Sequence, residues 1–307
     1  TSQNYTRLDS APATTLNWVG FDVSAASFVD NFSILAQDNS PSGLAFNADG
    51  TKMFVLGYQN DSVNEYALST GFDVSTASFT DAFSVASQDT IPYGLAFSPD
   101  GTKMFVVGYS GQDVNEYTLS TGFDVSTASF VDSFSVSSQD TQPSGVAFNT
   151  DGTKMFVTGI TGQDINEYTL STGFDVSTAS FVDSFSVSAQ DTSPSSLTFN
   201  ADGTKMFVCG QTGDDINEYA LSTGFDVSTA SYTQVFSVAP NVDRPVGIAF
   251  NASGLKMFVL GQSSGYQKVN EYSISGTLAL GTGSFAAADV GKTIEANSGV
   301  FVLTATT

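Results

Sequence analysis

The chain has 307 residues, 41% of them apolar, with 26 Phe and 11 Tyr; that is enough to fill a large core and excludes a disordered polymer. Thirty-one acids against nine bases give a net charge of −22. Such a surface repels nucleic-acid phosphates and anionic bilayers, so neither a nucleic-acid partner nor membrane insertion is expected, and no apolar run is long enough to span a bilayer.

In chain order, residues 1–26 read as an N-terminal extension containing "TTLNWVGFDVS". At Ser27 begins "SFVDNFSI", with Phe28, Phe32 and Ile34 in period two like the apolar residues of a half-exposed strand. Next comes "AFNADGTKMFV", the first of five near-copies beginning around Phe46, Phe97, Phe148, Phe199 and Phe250, each 51 residues after the last. Residues 122–172 and 173–223 differ at ten positions only. A fixed period of this kind is read before any other feature, each copy being one structural unit.

Each copy reads as four strands. An apolar run such as "SGVAF" ends at an Asp-Gly turn, a hairpin signal. "TKMFVTG" follows, with Met155 and Val157 on one side and Phe156 on the other, as in a strand buried on both faces. "DINEYTL" is the third strand, "STGFDVSTA" a polar connection, and "SFVDSFSV" the fourth. Inner strands are expected to start near residues 43, 94, 145, 196 and 247. The last copy, ending near residue 275, has no fourth strand of its own, and the strand from Ser27 is expected to supply it. Residues 276–307 hold no such copy; they read as a short β segment that breaks off inside a strand at "LTATT".

Four-stranded units at this period are the signature of a β-propeller. The phrase P-x-G-x-A-F-x-x-D-G-x-K-M-F-V-x-G, followed by V-N-E-Y-x-L-S-T, resembles the repeat of WD40-like and YVTN-type propellers over residues 27–274. Tyr66, Tyr117, Tyr168, Tyr219 and Tyr272 stand where the WD40 tryptophan falls. The expectation is an all-β, five-bladed propeller of 51-residue, four-stranded repeats, closed by the N-terminal outer strand, plus a C-terminal β segment. The alternative is six blades, built with "TTLNWVGFDVS" and the tail. In that tail, "FAAADVGKTIE" with "GVFVLTA" is similar to segments of bacteriophage virion and tail-fibre proteins, which implies homo-oligomeric or virion assembly through this segment.

The chain has no histidine, which removes His-based triads and the commonest metal ligand. Cys209 is alone, so there is no disulfide framework. No cofactor is expected; Ca²⁺ is the ion the composition suggests, through Asp214 and Asp215 in "TGDDINEY". Glu65, Glu116, Glu167, Glu218 and Glu271 recur once per copy, either as a ring of acids about the axis or as acceptors between blades. Lys52, Lys103, Lys154, Lys205 and Lys256 read as turn-side cations near Asp49 and its copies.

The copies also disagree in an ordered way. "NxDGTK" and "LSTGFDVSTAS" hardly change, whereas the loops before the inner strand and after "KMFVxG" do. The latter reads Tyr58-Gln59-Asn60, Tyr109-Ser110-Gly111, Ile160-Thr161-Gly162, Gln211-Thr212-Gly213, and then a longer Gln262–Lys268. In the propeller resemblance the two variable loops share one face. Tyr58, Ile91, Tyr93, Tyr109, Gln142, Gln163, Gln211, Arg244 and Tyr266 are its candidate ligand contacts, since loops on a rigid scaffold carry function and Tyr and Arg anchor interfaces. The expected function is a non-catalytic extracellular or virion-surface module that binds cell-surface glycans, with repeated weak sites gaining by avidity. The alternative is a decoration or fibre subunit that binds other proteins, and behind it stands a lactonase-like propeller hydrolase.

Overall fold

A computed structural model describes residues 16–263, 265–275, 277–280, 293–296 and 299–302. Its contacts divide the chain into two compact units, Gly20–Gly276 and a smaller one drawn from Thr1–Val19 and Thr277–Thr307. In the smaller unit, Leu16–Val19 pairs antiparallel with Thr277–Leu280, and Thr293–Ala296 with Gly299–Val302. Residues 281–292 and 303–307, which carry most of the virion-like phrase and the "LTATT" end, lie outside the described residues, as do residues 1–15.

The larger unit is a five-bladed propeller. Blade I consists of an inner strand Pro41–Phe46, a second Lys52–Gly57, a third Ser62–Leu68 and an outer strand Ala77–Ser84. Blades II, III and IV repeat this from Pro92, Pro143 and Pro194. Blade V takes Pro245–Phe250, Lys256–Gly261 and Lys268–Ile274 from the last copy and Ala26–Ser33 from the N-terminus. That outer strand lies antiparallel to the third, Ala26 opposite Ile274 and Ser33 opposite Lys268. Six blades are ruled out: Leu16–Val19 belongs to a separate two-stranded sheet. The propeller begins at Gly20 rather than residue 27, because Phe21 packs against Phe207 and Phe250 and Val23 is fully buried.

Packing explains the ring. Along the second strand of blade I, Met53 and Val55 face blade V while Phe54 and Leu56 face blade II, and all four are fully buried. One apolar cluster fills each of the five joints. A lone four-stranded sheet with two apolar faces is unstable in water; a ring covers every such face. The inner strands nearly touch at the axis: a Cβ on Gly94 would sit 2.8 Å from the Gly145 Cα, and one on Gly145 2.9 Å from the Ser196 Cα.

On one face, each blade grips the next through an arrangement hidden in the invariant letters. Lys52 Nζ pairs with Glu65 Oε1 at 2.7 Å and also donates to the Phe123 carbonyl of blade II at 2.6 Å. Glu65 Oε2 accepts the Val125 N–H of the same blade II loop at 3.1 Å. The same clamp recurs at every joint: Lys103 and Glu116 on Phe174 and Val176, Lys154 and Glu167 on Phe225 and Val227, Lys205 and Glu218 on Phe21 and Val23, Lys256 and Glu271 on Phe72 and Val74. The glutamates therefore bridge blades and do not ring the axis. The lysines do not serve Asp49 and its copies either; the Asp49 carboxylate is taken by the Thr51 backbone and hydroxyl.

The gripped loop is strained. Phe21, Phe72, Phe123, Phe174 and Phe225 all lie at φ between 57 and 61°, a left-handed region that bulky residues avoid. Each ring covers a turn glycine also at positive φ: a Cβ on Gly101 would stand 2.2 Å from the Phe123 ring. The following Asp caps a short 3₁₀ turn, as Asp124 does by accepting the Ser126 N–H. Stacking, the lysine hydrogen bond and the cap together offset the strained backbone.

Candidate functional site

The opposite face carries the variable loops, and there the backbone does the holding. Tyr58, Tyr109, Ile160, Gln211 and Gln262 each donate a backbone N–H to the carbonyl of Ser40, Ile91, Gln142, Ser193 and Arg244 respectively, at 3.0 to 3.2 Å. These rungs join the two variable loops of each blade. Beneath them, blades I to IV bury a carboxylate: Asp38, Asp89, Asp140 and Asp191 are 2 to 3% exposed. Asp89 accepts the Ile91 and Gly111 N–H groups at 2.6 and 2.7 Å. The glycine that ends each second strand makes room for it, since a Cβ on Gly108 would fall 2.1 Å from the Asp89 carboxyl carbon.

Blade V breaks this pattern. Val242 replaces the aspartate and is fully buried, and the backbone of Tyr266, in the longer loop, fills the space beside Gly261. Asn241 replaces the glutamine that accepts the hydroxyl of Tyr66, Tyr117, Tyr168 and Tyr219, and the Tyr272 hydroxyl is left buried without a partner. Ser42, Ser144 and Ser195 each donate to the inner-strand proline carbonyl of the next blade; at the joint of blades V and I, Gln262 Nε2 does so instead, reaching Pro41 O at 3.0 Å.

Several of the residues singled out from sequence come together. The Tyr58 and Tyr93 rings meet at 5.8 Å between centroids. Burial first, then the Tyr58 phenol, pushes the Tyr93 hydroxyl above its ordinary pKa; Arg244 opposes the shift and Tyr109 adds to it. Those four side chains thus share one neighbourhood, with Tyr109 and Arg244 exposed. Arg244, at φ 54°, donates its backbone N–H to Asp214 Oδ1 at 2.8 Å and an Nη2 hydrogen to Gln211 Oε1 at 3.2 Å. Between blades V and I opens a cavity of about 500 Å³ lined by Tyr58, Arg244, Gln262, Gln267 and Asn39 among others.

Other candidates stand apart. Gln163 accepts the Val187 N–H at 2.9 Å through its carbonyl, a loop role shared with Asp61, Gln112 and Asp214. Ile91 contributes its carbonyl to a rung, and the Gln142 side chain is exposed on blade III. The lining roles of Asn39 and Gln267 were not singled out; the signal for Gln267 is that only the last copy lengthens this loop.

Asp214 and Asp215 each have a partner within the protein. Asp214 holds Arg244, Asp215 Oδ1 accepts the Asn217 amide at 2.7 Å, and among the described residues no group of three or more carboxylates or thiols gathers to hold an ion. The Asp215 carboxyl is pushed up to about 6, by burial first and then by Asp191. Cys209 is buried and its thiol raised well above its ordinary value, chiefly by that burial. A second cavity, of about 340 Å³, opens at the uniform end of the axis, walled by apolar side chains such as Leu44, Leu95, Phe148 and Ile248.

No protein-family model matches the chain, and no curated protein matches it. Solved structures do. A functionally unknown protein from Desulfotomaculum acetoxidans is 17% identical with a TM-score of 0.48, over 86% of this chain and 75% of that one. A candidate 6-phosphogluconolactonase from Bacteroides uniformis is 14% identical with a TM-score of 0.47, over 84% and 76%. A luciferin-regenerating enzyme is 11% identical with a TM-score of 0.49, over 80% and 95%. At this level of identity and overlap, no activity carries over to this chain.

Proposed function

We propose that this chain is a non-catalytic binding module, acting on an extracellular or virion surface, that recognises carbohydrate through its variable-loop face. The observation that carries the reading is the Tyr58–Tyr93 ring pair beside Tyr109, with Tyr58 and Tyr109 on loops whose rungs use only their backbone and Tyr93 near the start of blade II's inner strand. Aromatic rings beside amides match a sugar, whose C–H face stacks and whose hydroxyls hydrogen-bond. The strong negative charge suits a surface that stays soluble in salt. The test is glycan-array binding by the full chain. Specific hits that vanish on Tyr58→Ala or Tyr93→Ala, with the melting temperature held, support the reading; a blank array overturns it.

One observation favours a protein partner instead. Phe28, Phe79, Phe130, Phe181 and Tyr232 are 40 to 45% exposed on the outer strands and form an aromatic belt around the rim. Exposed apolar area of this kind marks contact surfaces, and a blank array would shift the weight to it.

A further inference from the structure

We infer that the cavity between blades V and I takes a sugar bearing a carboxylate, with Arg244 as its counter-ion; this rests on the carbohydrate-binding reading above. The first argument is the charge pattern. The chain carries 31 acids, yet no carboxylate lines this cavity and one guanidinium does. Five lysines are committed to the clamps. Arg244 is exposed, and among the described residues it makes no ion pair; its polar side-chain contact is with the neutral Gln211 amide. The neighbouring carboxylate, Asp214, is bonded to the Arg244 backbone N–H rather than to the guanidinium, and a guanidinium fork fits a carboxylate in bidentate fashion.

The second argument is broken symmetry. Blades I to IV carry Ser40, Ile91, Gln142 and Ser193 where blade V carries Arg244. The lost aspartate, the longer loop and Gln262 all belong to the same blade. In so uniform a chain, departures gathered around one cavity set apart a single site from the repeated scaffold.

The third is preorganisation. Gln262 Nε2 is fixed on Pro41 O at 3.0 Å and Gln267 Nε2 on Asn39 O at 3.4 Å, so the cavity floor is set before a ligand arrives. Tyr58 supplies a ring wall, and Asn39 with Ser263 supplies polar groups for hydroxyls.

The experiment is calorimetric titration of the full chain at about 150 mM salt, where remote acids are screened. Two pairs of probes separate the sources of such a sugar: oligogalacturonate against its methyl ester, and sialyllactose against lactose. The acidic member of one pair is expected to bind about tenfold tighter than its neutral counterpart. Arg244→Gln, which installs the residue blade III carries there, is expected to erase that preference with the melting temperature held. Equal binding of acid and neutral probes, or a preference that survives Arg244→Gln, overturns the inference and leaves the carbohydrate reading standing. No binding by any probe overturns the inference, and with a blank array the reading beneath it.

Discussion

The two faces of the propeller are made from the same five copies and obey different rules. On the clamp face, side chains do the holding: Lys103 and Glu116 reach across a joint to Phe174 and Val176. A changed side chain there breaks a joint, so the letters stay fixed. On the loop face the rungs run from backbone to backbone, as from Tyr109 N to Ile91 O, and they persist whatever side chain is attached. Freedom to vary thus follows from which atoms make the bonds: the rungs tolerate a change of side chain, whereas Ser42, Ser144, Ser195 and Gln262, whose side chains reach the next blade, are less free to change.

The sharpest way to break that contrast is to cut a clamp. Glu116 is 3% exposed and Lys103 31%. Glu116→Ala strands the ammonium and the buried Val176 N–H, and should cost about 2–3 kcal/mol in urea unfolding, below the figure for a fully buried pair because Lys103 is partly in water. Next come two glycines. Gly101→Ala drives a methyl into the Phe123 ring at φ 70°, whereas Gly265, at φ 87°, has open space around it. The first should lose about 2 kcal/mol or more and the second about 1 kcal/mol, the difference isolating the clash from the backbone strain.

The faces should also titrate in opposite directions. On the clamp face Asp49, Asp100, Asp151 and Asp202 are held below the ordinary carboxylate range, by Thr and Ser hydroxyls first. On the loop face burial raises Asp113, Asp164 and Asp215, the last to about 6. A raised acid binds its proton more tightly folded than unfolded, so stability grows as pH falls through about 6; a lowered acid gives stability that is lost as pH falls below about 4. The melting temperature should therefore peak between about pH 4 and pH 6. Asp215→Asn should raise it at pH 7 and flatten its rise toward the peak; a profile still climbing at pH 7 would contradict this. The smallest effect belongs to Tyr109→Ser, within about 0.5 kcal/mol of wild type, since its rung survives.

The architecture was legible because the repeat carried its own register: five copies of "KMFV", four of them preceded by "DGT", give the blade count, and the strand starting near Ser27 matches the one the last copy lacks. The clamp was not. Lys52 and Glu65 lie on neighbouring strands, and their shared target, Phe123 to Val125, sits one blade further on. A reading that looks along one copy pairs the lysine with the nearest acid, Asp49, and misses contacts that exist only in the closed ring. The left-handed phenylalanines were equally hidden: the Gly and Asp beside each mark a turn, but Phe is a strand former and nothing in its own chemistry signals a positive φ. Of the candidate site, Tyr58, Tyr93, Tyr109 and Arg244 were legible as departures from their copies. Asn39 and Gln267 were not, because a cavity between the last blade and the first joins residues from opposite ends of the repeat array.

The shared blade carries a consequence for how the molecule comes into being. Ala26–Ser33 is among the first propeller segments a ribosome releases, and its partner Lys268–Ile274 is the last. Until that last strand is made, Ala26–Ser33 has no strand to hydrogen-bond with, Phe28 lacks the Tyr272 ring, and the clamp that takes Phe21 and Val23 waits for Lys205 and Glu218. Blades I to IV can assemble in order as each copy emerges, but the ring is locked in one late step of long sequence separation, the kind that sets a folding rate. The same link that prevents the finished propeller from fraying leaves the nascent one open until the final strand arrives.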